Sequence, residues 1–184
     1  MNAIEMIKER RSVRKYKNEK VSRELMREIV ELSRWSPSWA NYQVARYTIV
    51  DNDEMIKAIY ERGVNGFAYN MNTLKNAQGV MVLSYVNGKS GTLGGDKPAS
   101  SKDSMQWEMF DAGIACQTFC LAAHAKGVGT CIFGVINDAE ISQIIGLDQA
   151  ETVASIITYG FEEGDHAKPT PRYSVDEVMR IAGE

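Results

Sequence analysis

The sequence predicts a single α/β or α+β domain in which helices cover a sheet of at least four strands. The length of 184 residues suits one domain. The 44% hydrophobic and 24% charged content is close to the globular average. Helical and extended patterns alternate along the chain, with no repeat and no linker of biased composition. We therefore expect residues 1–184 to form one domain around one hydrophobic core.

Capping residues and prolines predict the elements of the N-terminal half. Asn2 and Glu5 have capping-box spacing, which predicts a short helix that ends near Arg10 or Arg11. Ser22 is the expected N-cap of a second helix that ends before Pro37. The apolar residues of that helix suggest a single buried face, formed by Leu25, Ile29, Leu32 and Trp35. A strand over 47–50 and a third helix over 51–62 follow.

The C-terminal half repeats this alternation around one long helix. A Gly/Asn-rich stretch and a short helical piece precede a strand over 80–85, and the Gly- and Ser-rich segment 87–104 predicts a flexible loop or lid. The longest helix runs from Met105 to Lys126, with Gly127 as its C′ residue. The remaining expected elements are strands over 129–133 and 153–159, a helix over 139–145 and a short helix over 175–181.

The long helix is apolar around most of its circumference, which is typical of a helix at the centre of a domain or in a subunit interface. Its two cysteines, Cys116 and Cys120, are expected to be small core residues. With Cys131 the cysteines are odd in number and lack C-x-x-C spacing, which supports neither a disulfide framework nor a zinc site.

The charges are distributed unevenly. The net charge is only −3, which argues against nucleic acid or an anionic membrane as the partner. Residues 8–20, however, carry seven Lys and Arg against two Glu, a net charge of +5. Such a short basic segment on an otherwise acidic chain suits a compact anion such as one phosphate, although a solvated basic face is the alternative.

Motifs for several reaction classes are missing. Gly88-Lys89-Ser90 lacks the first glycine of a P-loop, Gly127-x-Gly129 follows a helix instead of a strand, and no G-x-S-x-G occurs. His124 and His166 have no neighbouring pattern of a metal site, so no metal is expected. We therefore expect no catalytic side chain and a cofactor that supplies the chemistry.

The N-terminus lacks the apolar run of a signal peptide and no window suggests a membrane span, which predicts a cytoplasmic protein.

Two segments remain that suit a nucleotide-like ligand. One is Arg10-Arg11-Ser12-Val13-Arg14, whose guanidinium and hydroxyl groups suit a phosphate and a polar chain. The other is the loop Pro37-Ser38-x-x-Asn41-x-Gln43. With residues 127–134 after the long helix and the tail 168–172, these segments resemble the FMN-dependent nitroreductase family in order and spacing over essentially the whole chain.

The resemblance implies an α+β, nitroreductase-like fold with a mainly antiparallel sheet of four to five strands flanked by helices. It also implies an intertwined homodimer with FMN at the subunit interface. Arg10, Ser12 and Arg172 would surround the phosphate and ribityl chain, with Arg11 sharing the phosphate site, and Arg14 would lie beside the pyrimidine end. Pro37, Ser38, Trp39 and Asn41 would come from the other subunit. Asn70 would reach the polar edge of the flavin, and the turn Phe133-Gly134-Val135 would lie near its N5 atom.

The activity implied is an FMN-dependent NAD(P)H oxidoreductase that passes hydride through flavin N5 to a planar acceptor, such as a nitroaromatic or quinone, by a ping-pong mechanism. NADH or NADPH would be the co-substrate. Trp39 and Val44-Ala45-Arg46 depart from the family pattern, which leaves the range of substrates open. Two alternatives remain: a reductase dedicated to an enone-type metabolite, and a non-catalytic FMN carrier or redox sensor.

Overall fold

A four-stranded antiparallel sheet lies at the middle of the fold, with helices on both faces. The computed structural model describes residues 2–64, 66–93 and 97–183. The strands are β1 (Ala45–Val50), β2 (Gly79–Val86), β3 (Gly129–Phe133) and β4 (Glu151–Gly160). The helices are α1 (Ala3–Glu9), α2 (Arg23–Ser33), α3 (Asp53–Ala58), α4 (Ala68–Leu74), α5 (Ser104–Ala125), α6 (Asp138–Ile145) and α7 (Val175–Val178). The α+β class and the antiparallel sheet are thus confirmed.

The strands are ordered β1-β2-β4-β3, so β1 and β3 are the outer strands. Each neighbouring pair is antiparallel, and β2 and β4 are shielded on both faces. Because side chains alternate along a strand, Met81 and Leu83 point to the layer that contains α2 and α5, whereas Val80 and Val82 point to the layer of α3 and α6. The core therefore has two halves, one on each face of the sheet.

Capping explains where the helices begin. The side chain of Asn2 accepts from the N–H of Glu5, whose carboxylate accepts from the N–H of Asn2, so the predicted capping box is present. Ser22 caps α2 as expected. Gly127 has φ 77°, the left-handed conformation that follows the end of α5. The predicted third helix is shorter than expected, because after Ala58 the chain widens into a π-type turn (Ile59–Gly63).

The predicted buried face of α2 was wrong in part. The helix buries Met26, Ile29 and Ser33, whereas Leu32 is 44% and Trp35 76% exposed. The helix ends at Ser33, so Trp35 no longer continues its helical spacing, and Met26 takes a core position beside Ile29. The predicted Leu25 and Ile29 do pack on the core, so the buried stripe overlaps the predicted face but is rotated away from Leu32.

Helix α5 packs its inner face against the sheet, where its two cysteines are buried as predicted. Its outer face exposes Met109, Phe110 and Gly113. Near its start, two buried carboxylates hold the segment after β2: Glu108 accepts from the N–H of Lys89 at 2.8 Å and Asp111 from the hydroxyl of Ser90 at 2.7 Å.

The segment 87–104 was predicted as a flexible loop or lid. Its beginning is held to α5 through Lys89 and Ser90. Residues 94–96 of this segment lie outside the described residues. Its behaviour as a lid stays a prediction. Within the described ranges, no helix is long and apolar enough to cross a membrane.

Candidate functional site

The basic segment lies along the outer edge of β3, against two glycines that pair with each other on the neighbouring strands β3 and β4. Ser12 forms a parallel bridge with Thr130, and the N–H of Val13 donates to the carbonyl of Thr130 at 2.8 Å. Gly129 of β3 pairs with Gly160 of β4. A Cβ added to Gly129 would lie 2.7–2.9 Å from the side chain of Val13. Only glycine therefore leaves room for the segment to approach the sheet so closely.

Tyr16 anchors the other end of this segment. Its ring packs over Gly160, where an added Cβ would lie 2.9 Å from the ring. Its hydroxyl donates to the carbonyl of Val13 at 2.7 Å and is 2.9 Å from the hydroxyl of Thr158. Burial raises the pKa of this phenol, so Tyr16 stays neutral and serves as a hydrogen-bonding anchor.

A cavity of about 190 Å³ opens beside the segment, between it and the tail after β4. Five cationic side chains line it: Arg10, Arg11, Arg14, Lys168 and Arg172. Ser12 and Thr170 add hydroxyl groups, and no acidic side chain of the described residues is part of the lining. Such a concentration of positive charge without a counter-ion is the electrostatic signature of an anion site.

The arginines differ in how much hydrogen-bonding capacity they keep for a ligand. Arg11 donates to the carbonyls of Lys8 at 2.6 Å, of Arg10 at 2.9 Å and of Ala167 at 3.2 Å, so its guanidinium joins both walls of the cavity. Arg172 donates to its own segment, at Thr170 and Pro171. Arg14 has one weak contact to the carbonyl of Ser12 at 3.2 Å.

The turn after β3 forms a second group of predicted residues. Phe133 is buried, whereas Gly134 and Val135 are exposed. Asn70 of α4 donates its side-chain amide to the carbonyl of Val135 at 3.4 Å, a long contact that nevertheless places Asn70 beside this turn. An added Cβ at Gly134 would meet no atom within 4 Å, so the packing of the described chain does not itself require glycine there.

The third group is the loop before β1, which has an unusual backbone. Ala40, Asn41 and Gln43 have φ of 43°, 58° and 51°, in the left-handed region that disfavours non-glycine residues. The buried carboxylate of Asp111 accepts the N–H of Trp39 at 3.0 and 3.1 Å. Contacts from outside the loop thus hold a conformation that the loop alone would not favour.

Aromatic side chains continue from this loop onto α5. The ring of Trp39 is 4.7 Å from that of Trp107, which in turn makes an edge contact with Phe110 at 5.7 Å. Gly91 packs directly on the ring of Trp107. Trp39 is half-buried between these partners, and Pro37 and Asn41 are exposed.

Within one chain, the predicted residues lie in two separate places. Arg10, Arg11, Ser12, Arg14 and Arg172 line one cavity along β3, and the turn at 133–135 with Asn70 lies at the end of the same strand. The loop 37–43 precedes β1, at the opposite edge of the sheet. Three interstrand spacings, about 14 Å, separate the outer strands.

Sequence reasoning missed several residues that build the site. Tyr16, Gly129 and Gly160 seat the basic segment, and Asp111 holds the loop before β1. Glycines at the ends of two predicted strands are a signal of close backbone approach. No such signal marks Asp111, since a carboxylate on an apolar helix has no distinctive spacing.

The comparisons with known proteins give a consistent result. The profile of the Nitroreductase family matches residues 7–72 and 65–161. A protein of Archaeoglobus fulgidus named as a candidate NADH dehydrogenase/NAD(P)H nitroreductase is 25% identical over 183 residues, with 96% of both chains covered.

Solved structures have the same fold. A candidate nitroreductase from Exiguobacterium sibiricum in complex with FMN has a TM-score of 0.82 at 19% identity, covering 98% of this chain and 97% of that one. NfrA2 of B. megaterium has a TM-score of 0.82 at 26% identity, covering 100% and 76% respectively. The matched residues include all four strands of the sheet and the basic segment, and this chain belongs to the nitroreductase family.

Proposed function

We propose that this protein is an FMN-dependent oxidoreductase that passes reducing equivalents from NADH or NADPH to a planar acceptor such as a nitroaromatic or quinone. The observation that carries the proposal is the cavity beside β3, which is lined by five cationic side chains and by no acidic side chain of the described residues. Family membership, and names of relatives that refer to FMN and NAD(P)H, support the same activity.

The residues at this edge fit a flavin mononucleotide. The cavity of about 190 Å³ suits a phosphate group with its first ribityl atoms, and the remainder of the ligand would extend along β3. At the end of that strand, the open space over Gly134 leaves its backbone accessible to a flat ring. When bound, FMN would supply hydride transfer between the nicotinamide and the acceptor.

The chain itself supplies binding, orientation and charge. Arg10, Lys168 and Arg172 would hold the phosphate, and Arg11 would keep the two walls of its cavity together. Arg14 is next along the segment and would place a fixed positive charge beside the pyrimidine end of the flavin. Asn70 would orient the polar edge of the flavin.

A second copy of the chain would complete the site. The loop with Pro37, Ser38, Trp39 and Asn41 lies at the edge of the sheet opposite the basic cavity, too far to close over the same flavin. The outer face of α5 exposes Met109 and Phe110, which a partner subunit would cover. We therefore propose a homodimer in which this loop belongs to the site of the other subunit.

One experiment tests the activity. Purified protein is reconstituted with FMN and mixed anaerobically with NADH or NADPH, and the flavin absorbance is followed before and after a quinone or a nitroaromatic is added. We expect bleaching by the nicotinamide and recovery with the acceptor, and parallel double-reciprocal plots in steady state. Flavin that stays oxidised would indicate a carrier or sensor, and activity confined to an enone would indicate a dedicated reductase.

Binding variants test the cavity. Arg10→Gln removes one charge-assisted contact, so FMN binding should weaken about 10- to 100-fold. Lys17→Gln, which removes a charge from the same basic stretch outside the cavity, should leave the Kd unchanged. Equal effects from both would mean that net charge, and not this cavity, holds the ligand.

Size-exclusion chromatography tests the dimer. Gly113→Arg places a charge on the outer face of α5, where a Cβ meets nothing in the described chain, and should yield monomers that bind FMN poorly. Gln143→Arg, on the exposed face of α6, is the matched control. A dimeric Gly113→Arg variant with normal FMN content would contradict the proposed interface.

A further inference from the structure

His166 follows β4 in the chain and precedes Lys168 and Arg172, the two cationic tail residues that line the anion cavity. Its Nδ1 atom is 2.7 Å from a carboxylate oxygen of Glu162, and its Nε2 atom is 2.7 Å from the backbone carbonyl of Glu9. Both partners are acceptors only. A neutral imidazole has one N–H, so both bonds form only when the ring is the doubly protonated imidazolium.

The positions of these partners explain why a cation is favoured there. Glu9 is the last residue of α1, whose C-terminal carbonyls carry the negative end of the helix dipole. The hydrogen bond to Glu162 and that to Glu9 raise the pKa of His166 above its ordinary value. The ring of His124 stacks on that of His166 with 6.2 Å between the ring centroids, and burial lowers the pKa of His124, which favours the neutral form of this neighbour.

His166, His124 and Glu162 line a recess together with Arg10 and Arg11. Arg11 opposes a positive charge on His166, so Glu162 is the compensating anion. The side chain of Glu9 also faces this region and lies near His124. Among the described residues, the two histidines, two arginines and two glutamates are therefore the charged or titratable groups around the recess.

We propose that protonated His166 is a positioning residue that ties the tail to α1 and so places Lys168 and Arg172 beside Arg10 and Arg14 in the anion cavity. This inference rests on the proposed function. The carbonyl of Ala167 accepts a second tie from Arg11 at 3.2 Å, so loss of His166 loosens the tail without releasing it. FMN affinity is then linked to the protonation of a residue that contacts neither phosphate nor flavin.

The sign of the pH dependence follows from the raised pKa. Below it the imidazolium keeps both hydrogen bonds, and above it one of them is lost. The contribution of His166 to FMN affinity is therefore greatest at acid pH and falls as pH rises through the pKa of His166. The second ionisation of the ligand phosphate, at about pH 6, changes the Kd for FMN of every variant alike. Its effect therefore cancels in a ratio of Kd values.

The test starts from apo-protein and measures the Kd for FMN as a function of pH. It compares the unaltered protein with three variants: His166→Gln, Glu162→Gln and Glu163→Gln. Glu163 has no side-chain hydrogen bond in the described structure and is the matched control. We expect His166→Gln to bind FMN about tenfold more weakly at a pH below the measured pKa of His166 and nearly equally at a pH above it. Glu162→Gln, which weakens the acceptor, should shift this step to lower pH, and Glu163→Gln should change neither.

NMR titration of the imidazole resonances in apo-protein supplies a readout that is independent of FMN. His166 should titrate above its ordinary pKa, and Glu162→Gln should lower that value. A Kd ratio that is the same at both pH values, or an imidazole that titrates at or below its ordinary pKa, would overturn the inference. If the unaltered protein fails to bind FMN at any pH, the proposed function fails and this inference fails with it, whereas normal binding with a flat ratio refutes the inference alone.

Discussion

Replacing Gly129 by alanine tests how the basic segment is seated. The new Cβ would lie 2.7, 2.8 and 2.9 Å from Cγ2, Cβ and Cγ1 of Val13. Real Cβ contacts are not this short, and Cβ of Val13 is fixed to the backbone, so a rotamer change cannot relieve the overlap. The N–H bond of Val13 to Thr130 resists displacement as well. The segment must therefore move outward or the sheet must distort.

The cost should appear in two measurements. Overpacking of this kind destabilises by about 1–3 kcal/mol, measured by urea unfolding of the apo-protein. Movement of the segment would also displace Arg10 and Arg14, so FMN binding, measured by flavin fluorescence, should weaken about tenfold or more. Both changes are expected together in Gly129→Ala.

Gly79→Ala is the matched control, because it introduces the same methyl group into the same sheet. Its Cβ would lie 2.1 Å from the ring of Tyr159, so stability should fall, but the segment at 10–16 is not involved and FMN affinity should persist. If Gly129→Ala loses neither stability nor affinity, the close seat is refuted. If it loses stability alone, as the control does, the link between the seat and the ligand site is refuted.

Two further substitutions probe the supports of the site. Tyr16→Phe leaves the buried carbonyl of Val13 without its donor and should cost about 1–3 kcal/mol in urea unfolding; an unchanged unfolding midpoint would contradict the anchoring role. Asp111→Asn weakens the acceptor for the N–H of Trp39 and the hydroxyl of Ser90, which should cost a similar amount and shift tryptophan emission, because the Trp39 ring would no longer be held on its neighbour. Emission identical to that of the unaltered protein would show that other contacts hold the loop.

Local chemistry made much of this fold predictable from sequence. Three helices begin after a short polar residue whose side chain accepts a backbone N–H of the helix: Asn2 before α1, Ser22 before α2 and Asn137 before α6. These starts need no contact with distant parts of the chain. The boundaries of β3 agree with the prediction because Gly129 and the turn after Phe133 delimit a β-branched run.

Features that depend on contacts between distant segments were not predictable in this way. The order of the strands follows from packing, and so does the rotation of α2 that buries Met26 and leaves Leu32 exposed. The roles of Tyr16 and His166 depend on partners more than a hundred positions away, Thr158 and Glu9 respectively. Patterns of residue spacing carry no information about such pairs.

The two halves of the candidate site are held in place by opposite means. The basic segment approaches the sheet because side chains are missing at Gly129 and Gly160, so it can sit close without strain. The loop before β1 keeps Ala40 at positive φ because a buried carboxylate, Asp111, accepts the N–H of the residue before it. Strain persists only where the surroundings over-determine it. A loop at the far edge of the sheet that is held this firmly, yet contributes nothing to the cavity of its own chain, is what the proposed homodimer would require, since there the loop belongs to the ligand site of the other subunit.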